Sequence, residues 1–169
     1  MTGNEMNHET LEQSMKRLAK LEEGVARQLG QVLIEFSRLD VNLALGLVWT
    51  TSHHQATAAS RSTDDLNLYA KMCAIAKLVE AKFPTQSEAR DAYDQWAGRM
   101  NTMRLRRNDI VHGRWGFNVK MMKAVNVMGV PGLGNERSTA YSIVDLVAFN
   151  AEIRALSEEW GRLQKHWRL

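Results

Sequence analysis

Residues 11–47, LEQSMKRLAKLEEGVARQLGQVLIEFSRLDVNLALGL, decide the fold class. Apolar side chains recur there at Met15, Leu18, Val25, Leu29, Val32, Phe36, Leu39, Leu43 and Leu47, the three-and-four spacing of one helix face. Glu22 is the one gap in the stripe, and Gly24 and Gly30 are positions where a helix bends or breaks. A seven-residue repeat persists through the segment, which suits either the spine of a bundle or a helix that pairs with a copy of itself. Bundle core is the expected use, because the segments that follow also need an apolar partner.

Beyond it, Trp49–Ser62 is rich in Thr, Ser and His and reads as a surface loop. Ser62 with Asp65 forms a capping pair for a second helix whose apolar face runs through Leu66, Tyr69, Met72, Cys73, Ala76 and Val79, and which Pro84 stops. Thr85 with Glu88 opens a third helix, with Ala89, Tyr93, Trp96, Met100 and Met103 as its buried stripe, continuing towards Ile110; Gly113 follows His112 and ends it. The period then changes. Phe117, Val119 and Met121, then Val125 and Val127, alternate with more polar neighbours; Val130–Asn135 is a turn and Thr139–Ile143 a returning strand, giving a β-hairpin over residues 115–143. Ser142 with Asp145 caps a final helix carrying Leu146, Phe149, Ile153, Leu156, Trp160, Leu163 and Trp167. The expected fold class is mainly α: an up-and-down bundle of four to five helices with a β-hairpin inserted before the C-terminal helix. One domain is expected over residues 1–169, with 1–9 a flexible N-terminus.

The 169 residues, 44% of them hydrophobic, are enough for one continuous core. No basic start followed by an apolar run and no stretch of about 18 apolar residues occurs, so neither a standard secretory signal nor a membrane span is expected. Cys73 is the only cysteine, which rules out an internal disulfide and zinc sites built on paired cysteines. A reducing, cytoplasmic setting is expected. The net charge of +3 is small, but Arg99, Arg104, Arg106, Arg107, Arg114, Lys120 and Lys123 fall in one stretch with Asp109 as its only acid, concentrating the positive field there.

Within that stretch stands Arg107-Asn108-Asp109-Ile110-Val111-His112. Cleaving RNA without a metal needs a group that moves a proton near neutral pH and a fixed cation that stabilises extra negative charge on phosphorus; histidine and arginine supply these. The segment resembles the motif of the HEPN superfamily, short helical bundles carrying an Arg, four to six intervening residues and a His, with a polar residue, commonly Asn, directly after the Arg. Gly113 and Trp115 behind it also look familiar for such families. The resemblance implies a HEPN-like bundle with the hairpin as an elaboration, and a metal-independent endoribonuclease of the kind found in toxin-antitoxin or defence systems. In that role Arg107, His112 and Asn108 are catalytic, and Arg104, Arg106, Arg114 and Lys120 bind the substrate.

On an ideal helix Arg107 and His112 point about 140° apart, while Arg104, Asn108 and His112 line one face. The resemblance therefore implies a homodimer in which Arg from one copy and His from the other share a phosphate. Its expected partners are RNA, a second copy and an antitoxin protein, with no membrane, metal or cofactor. Plainer uses exist for the same residues: His112 as a helix-terminal histidine, Arg107 packed by its stem on Trp96, Asn108 as a local cap, Asp109 and Asp40 as surface charges. Asp40 lies where related families often carry an acid that bonds an arginine of the motif. A HEPN-like module that binds RNA, a nucleotide or a partner protein without cutting is the alternative function. His53 and His54 are adjacent and point differently, so they make a poor metal site.

Overall fold

A computed structural model describes residues 10–50, 66–130 and 132–168. The expected flexible start at 1–9, the loop residues 51–62, the Ser62–Asp65 cap and the His53–His54 pair lie outside the described residues. The elements in chain order are α1 (Leu11–Thr50), α2 (Leu68–Lys82), α3 (Glu88–His112), β1 (Arg114–Asn118), β2 (Lys123–Met128), β3 (Arg137–Tyr141) and α4 (Ile143–Trp167). The fold is mainly helical, with a small antiparallel sheet before the last helix. Instead of the single hairpin expected from sequence, the sheet is a three-stranded meander of order β1-β2-β3. Among the described residues no helix is long and apolar enough to cross a membrane. Contacts divide the chain into two units, one of residues up to Gly30 with Asp109–Ala148, the other of Gln31–Asn108 with Phe149 onward, and the division falls inside α1, α3 and α4.

In the sheet unit, α1 starts on a reciprocal cap: Gln13 N–H donates to Thr10 Oγ1 at 3.3 Å and Thr10 N–H to Gln13 Oε1 at 2.9 Å. Leu21 and Val25 are fully buried, so Leu21 fills the gap that the sequence stripe left at Glu22, whereas Met15 is 62% exposed. Neither Gly24 nor Gly30 interrupts the helix. Gly24 has a different use, since a Cβ there would stand 2.5 Å from Ile143 Cδ1. Its missing side chain admits the first residue of α4.

The turn between β1 and β2 explains why the expected alternation fails. Met122 N–H donates to Val119 O at 3.2 Å, Met121 N–H to Asn118 Oδ1 at 3.1 Å, and Met122 takes the left-handed conformation at φ 49. Val119 and Met121 are therefore turn residues. Ala124 then pairs with Phe117 and Tyr141, which puts Ala124 and Asn126 on the buried face and leaves Val125 and Val127 half-buried on the other. On the buried side the Trp115 and Tyr141 rings meet at 5.7 Å. Ser142 and Asp145 form the cap expected for α4: Asp145 N–H donates to Ser142 Oγ at 3.1 Å and Ser142 N–H to Asp145 Oδ2 at 2.8 Å.

Gly113 ends α3 as expected, but through space rather than backbone freedom. Its N–H donates to Asp109 O at 2.9 Å, and the Asn126 amide occupies the place of its absent side chain. In the amide orientation that satisfies both groups, Asn126 donates to Asp109 O and accepts from Trp115 Nε1, each at 3.2 Å. A methyl at Gly113 collides with that amide, so Gly113→Ala should lower unfolding free energy by about 1–3 kcal/mol. A thermal melt equal to wild type would mean that Asn126 swings aside freely.

The helical unit packs segments of α1, α3 and α4 with α2 around aromatic side chains. Trp96 and Trp160 lie 5.1 Å apart, Tyr93 is 5.8 Å from Trp96, and Phe36 is 6.5 Å from Phe149. Buried polar edges find backbone partners: Trp96 Nε1 donates to Leu156 O at 2.9 Å and Tyr93 OH to Met72 O at 2.6 Å. The stripes expected on α3 and α4 are the buried ones, from Ala89 to Met103 and from Phe149 to Leu163.

Helix starts shift from expectation. Asn67 caps α2, its Oδ1 accepting from Ala70 N–H at 2.9 Å, and the buried face is Lys71, Met72, Ile75 and Val79 rather than the one running through Tyr69 and Cys73. Tyr69 is 51% exposed. At α3 the left-handed Gln86 (φ 64) redirects the chain, so that Ser87 rather than Thr85 caps, its Oγ accepting from Arg90 N–H at 3.4 Å.

Burial raises the Tyr93 phenol well above the ordinary tyrosine value, with the charges of Cys73 and Asp94 adding to the effect. The folded state therefore holds the neutral phenol. The resulting stability is complete below the unfolded value of 10.0 and is lost as pH rises beyond it, when only the unfolded chain ionises. Between about pH 8 and about pH 11, Tyr93→Phe should lose less stability than wild type, read from urea midpoints. Parallel losses would exclude Tyr93 as the alkaline trigger.

Candidate functional site

The helical unit contains a cavity of about 480 Å³ lined by Leu33, Phe36, Ser37 and Asp40 of α1, Asn67, Leu68 and Tyr69 at the start of α2, and Arg104, Arg107 and Asn108 of α3. Helical spacing assembles it. Phe36, Ser37 and Asp40 lie three, four and seven positions after Leu33 on α1, and Arg107 and Asn108 lie three and four after Arg104 on α3, so each set shares one helix face. Three residues expected at the site thus meet around one space, together with Asp40.

Each guanidinium covers an aromatic ring. Arg107 Cζ lies 5.8 Å from the Phe36 centroid and Arg104 Cζ 4.8 Å from that of Tyr69. Asn101 Oδ1 accepts from Arg104 Nε at 3.1 Å and Nη2 at 2.8 Å; Asn108 Oδ1 accepts from Arg107 Nη1 at 3.3 Å. Arg107 Nε is buried and has no hydrogen-bond partner among the described residues. Asp40 pairs with neither arginine of the motif region. Its Oδ2 accepts from Lys71 Nζ at 2.7 Å, while its buried Oδ1 has no partner among the described residues.

The Asp40–Lys71 pair is asymmetric, with the Lys71 side chain 6% exposed and that of Asp40 38%. Removing Asp40 strands a buried ammonium, and Asp40→Ala should cost about 3–5 kcal/mol. Lys71→Met leaves a carboxylate that water reaches and keeps most of the volume, so its cost should stay below about 2 kcal/mol. Equal urea midpoints for the two variants would contradict this ranking.

The other expected site residues lie elsewhere. Arg106 covers the Phe149 ring at 4.6 Å rather than the cavity. In the sheet unit His112 is the exposed last residue of α3, Arg114 on β1 lies 3.6 Å from Glu136, and Lys120 is exposed in the β1–β2 turn. Asp109 reaches Arg137 at 3.5 Å, a surface use. Sequence reasoning missed Phe36, Tyr69 and Lys71 as site residues. A lysine in register with Met72 and Val79 on an otherwise apolar face was the available signal for the last. No group of three or more His, Cys, Asp or Glu side chains that would hold a metal ion occurs among the described residues. No family model, no curated protein and no solved structure matches the chain.

Proposed function

We propose that the chain is a metal-independent endoribonuclease of the HEPN type, active as a homodimer and suited to a toxin or defence role with an antitoxin protein as partner. The carrying observation is the cavity, where Arg107 and Asn108 of the Arg-Asn-x-x-x-His segment meet Arg104, and Arg107 keeps a buried, unsatisfied Nε–H. A guanidinium already held in place stabilises charge developing on phosphorus without reorganising. In this mechanism the ribose 2′-oxygen attacks phosphorus and the bond to the 5′-oxygen breaks. His112 takes the 2′-hydroxyl proton or delivers one to the leaving 5′-oxygen, and the products are a 2′,3′-cyclic phosphate and a 5′-hydroxyl. Five positions along α3 separate Arg107 from His112, a rotation of about 140° on an ideal helix, which favours Arg from one copy working with His from another.

A second reading is a module that binds RNA or a nucleotide without cutting. It is favoured by the cavity's composition, with cations, aromatic faces and hydrogen-bonding groups but no histidine among the described lining residues. The deciding experiment incubates a total transfer-RNA pool with purified protein in excess EDTA and sizes the products on a gel. Cleavage leaving cyclic-phosphate ends, absent from His112→Ala, supports the nuclease. Intact RNA that nonetheless binds with steep salt dependence supports the module.

A further inference from the structure

We infer that the cavity is a guanine-reading nucleotide site in which Asp40 sets specificity, a reading that deepens the ribonuclease proposal and rests on it for the RNA context. Two of the residues that line the cavity each have one buried polar atom without a hydrogen-bond partner among the described residues, Asp40 Oδ1 and Arg107 Nε. One accepts and the other donates, and each is unfavourable until a complementary group meets it. Both side chains are held in place: Asp40 Oδ2 accepts from Lys71 Nζ at 2.7 Å, and Arg107 Nη1 donates to Asn108 Oδ1 at 3.3 Å. Asp40 stands one helical turn from Phe36, whose ring Arg107 covers at 5.8 Å, so acceptor and donor flank one aromatic side chain.

The charge balance then selects the ligand. Among the described residues Asp40 and Lys71 compensate one another, which leaves Arg104 and Arg107 for an anion. The half-exposed Tyr69 ring suits a flat aromatic body, and about 480 Å³ falls in the ordinary range for sites that take small molecules. A nucleotide combines phosphate and flat base. Guanine alone among the four RNA bases sets two adjacent donors, N1–H and the N2 amine, towards a carboxylate while its O6 and N7 accept from a guanidinium. Adenine and cytosine offer one amine, and uracil flanks its single N–H with carbonyl oxygens.

The test is calorimetric titration of the full chain with the 5′-monophosphates of guanosine, inosine, adenosine, cytidine and uridine. Guanosine monophosphate should bind at least about tenfold more tightly than each of the others, including inosine monophosphate, which lacks only the N2 amine. In Asp40→Asn the amide oxygen keeps Lys71 company and the amide nitrogen replaces the free acceptor. That variant should lose guanosine monophosphate and gain xanthosine monophosphate, which carries an oxygen in place of the amine. A purely structural aspartate would produce no such exchange. Equal binding of all the nucleotides, binding of none, or an Asp40→Asn variant that is folded by circular dichroism and keeps its guanine preference would overturn the inference. If Asp40→Asn does not fold, the wild-type comparison of guanosine with inosine decides alone. The two proposals fail separately: RNA cleavage with unselective nucleotide binding removes the guanine site and keeps the nuclease, and guanine-selective binding without cleavage does the reverse.

Discussion

Arg107→Ala and His112→Ala should each lower RNA cleavage by about a hundredfold to ten-thousandfold, the range for losing a fixed charge stabiliser or a general acid-base. The two variants separate in stability. His112 is exposed at the end of α3 and should leave the melt unchanged, whereas Arg107 is half-buried over Phe36 and its truncation also removes packing. Mixing them tests the two-copy mechanism. In a mixed dimer one composite site keeps both groups, so equal mixing of exchanging copies should recover about a quarter of wild-type activity. Activity that stays at the level of either variant alone would place both groups of a site in one chain.

Trp96→Ala should cost about 3–5 kcal/mol of unfolding free energy, the range for truncating a large buried aromatic side chain. Trp96 is fully buried between Tyr93 and Trp160, and its indole N–H donates to Leu156 O, so alanine leaves a cavity and removes that hydrogen bond. Trp96→Phe keeps a ring but loses the N–H, and should fall between alanine and wild type. Urea unfolding followed by circular dichroism reads all three. A loss below about 1 kcal/mol for alanine would mean that the core closes over the gap.

The long stripes were legible because a helix that buries one face must repeat its apolar residues at three and four, and α1, α3 and α4 do so over many turns. The Ser142–Asp145 cap was legible for the same local reason, as both partners lie within one turn. Short elements were harder. In α2 two apolar faces compete within 15 residues: Met72 and Val79 are buried as expected, but Lys71 and Ile75 join them inside and Tyr69 stays out. In the sheet, the tight turn at Val119–Met122 reset the strand phase and exchanged the faces of β2.

For the site, chain order alone puts Arg104, Arg107 and Asn108 on one stretch of α3, because helical spacing is fixed. On an ideal helix five positions turn His112 about 140° from Arg107. That those three residues face Phe36 and Asp40 of α1 and the start of α2, and that Lys71 rather than an arginine pairs with Asp40, is not written in any local pattern. Such pairings join residues far apart in the chain, where no local periodicity records which faces meet; packing of the helices selects them.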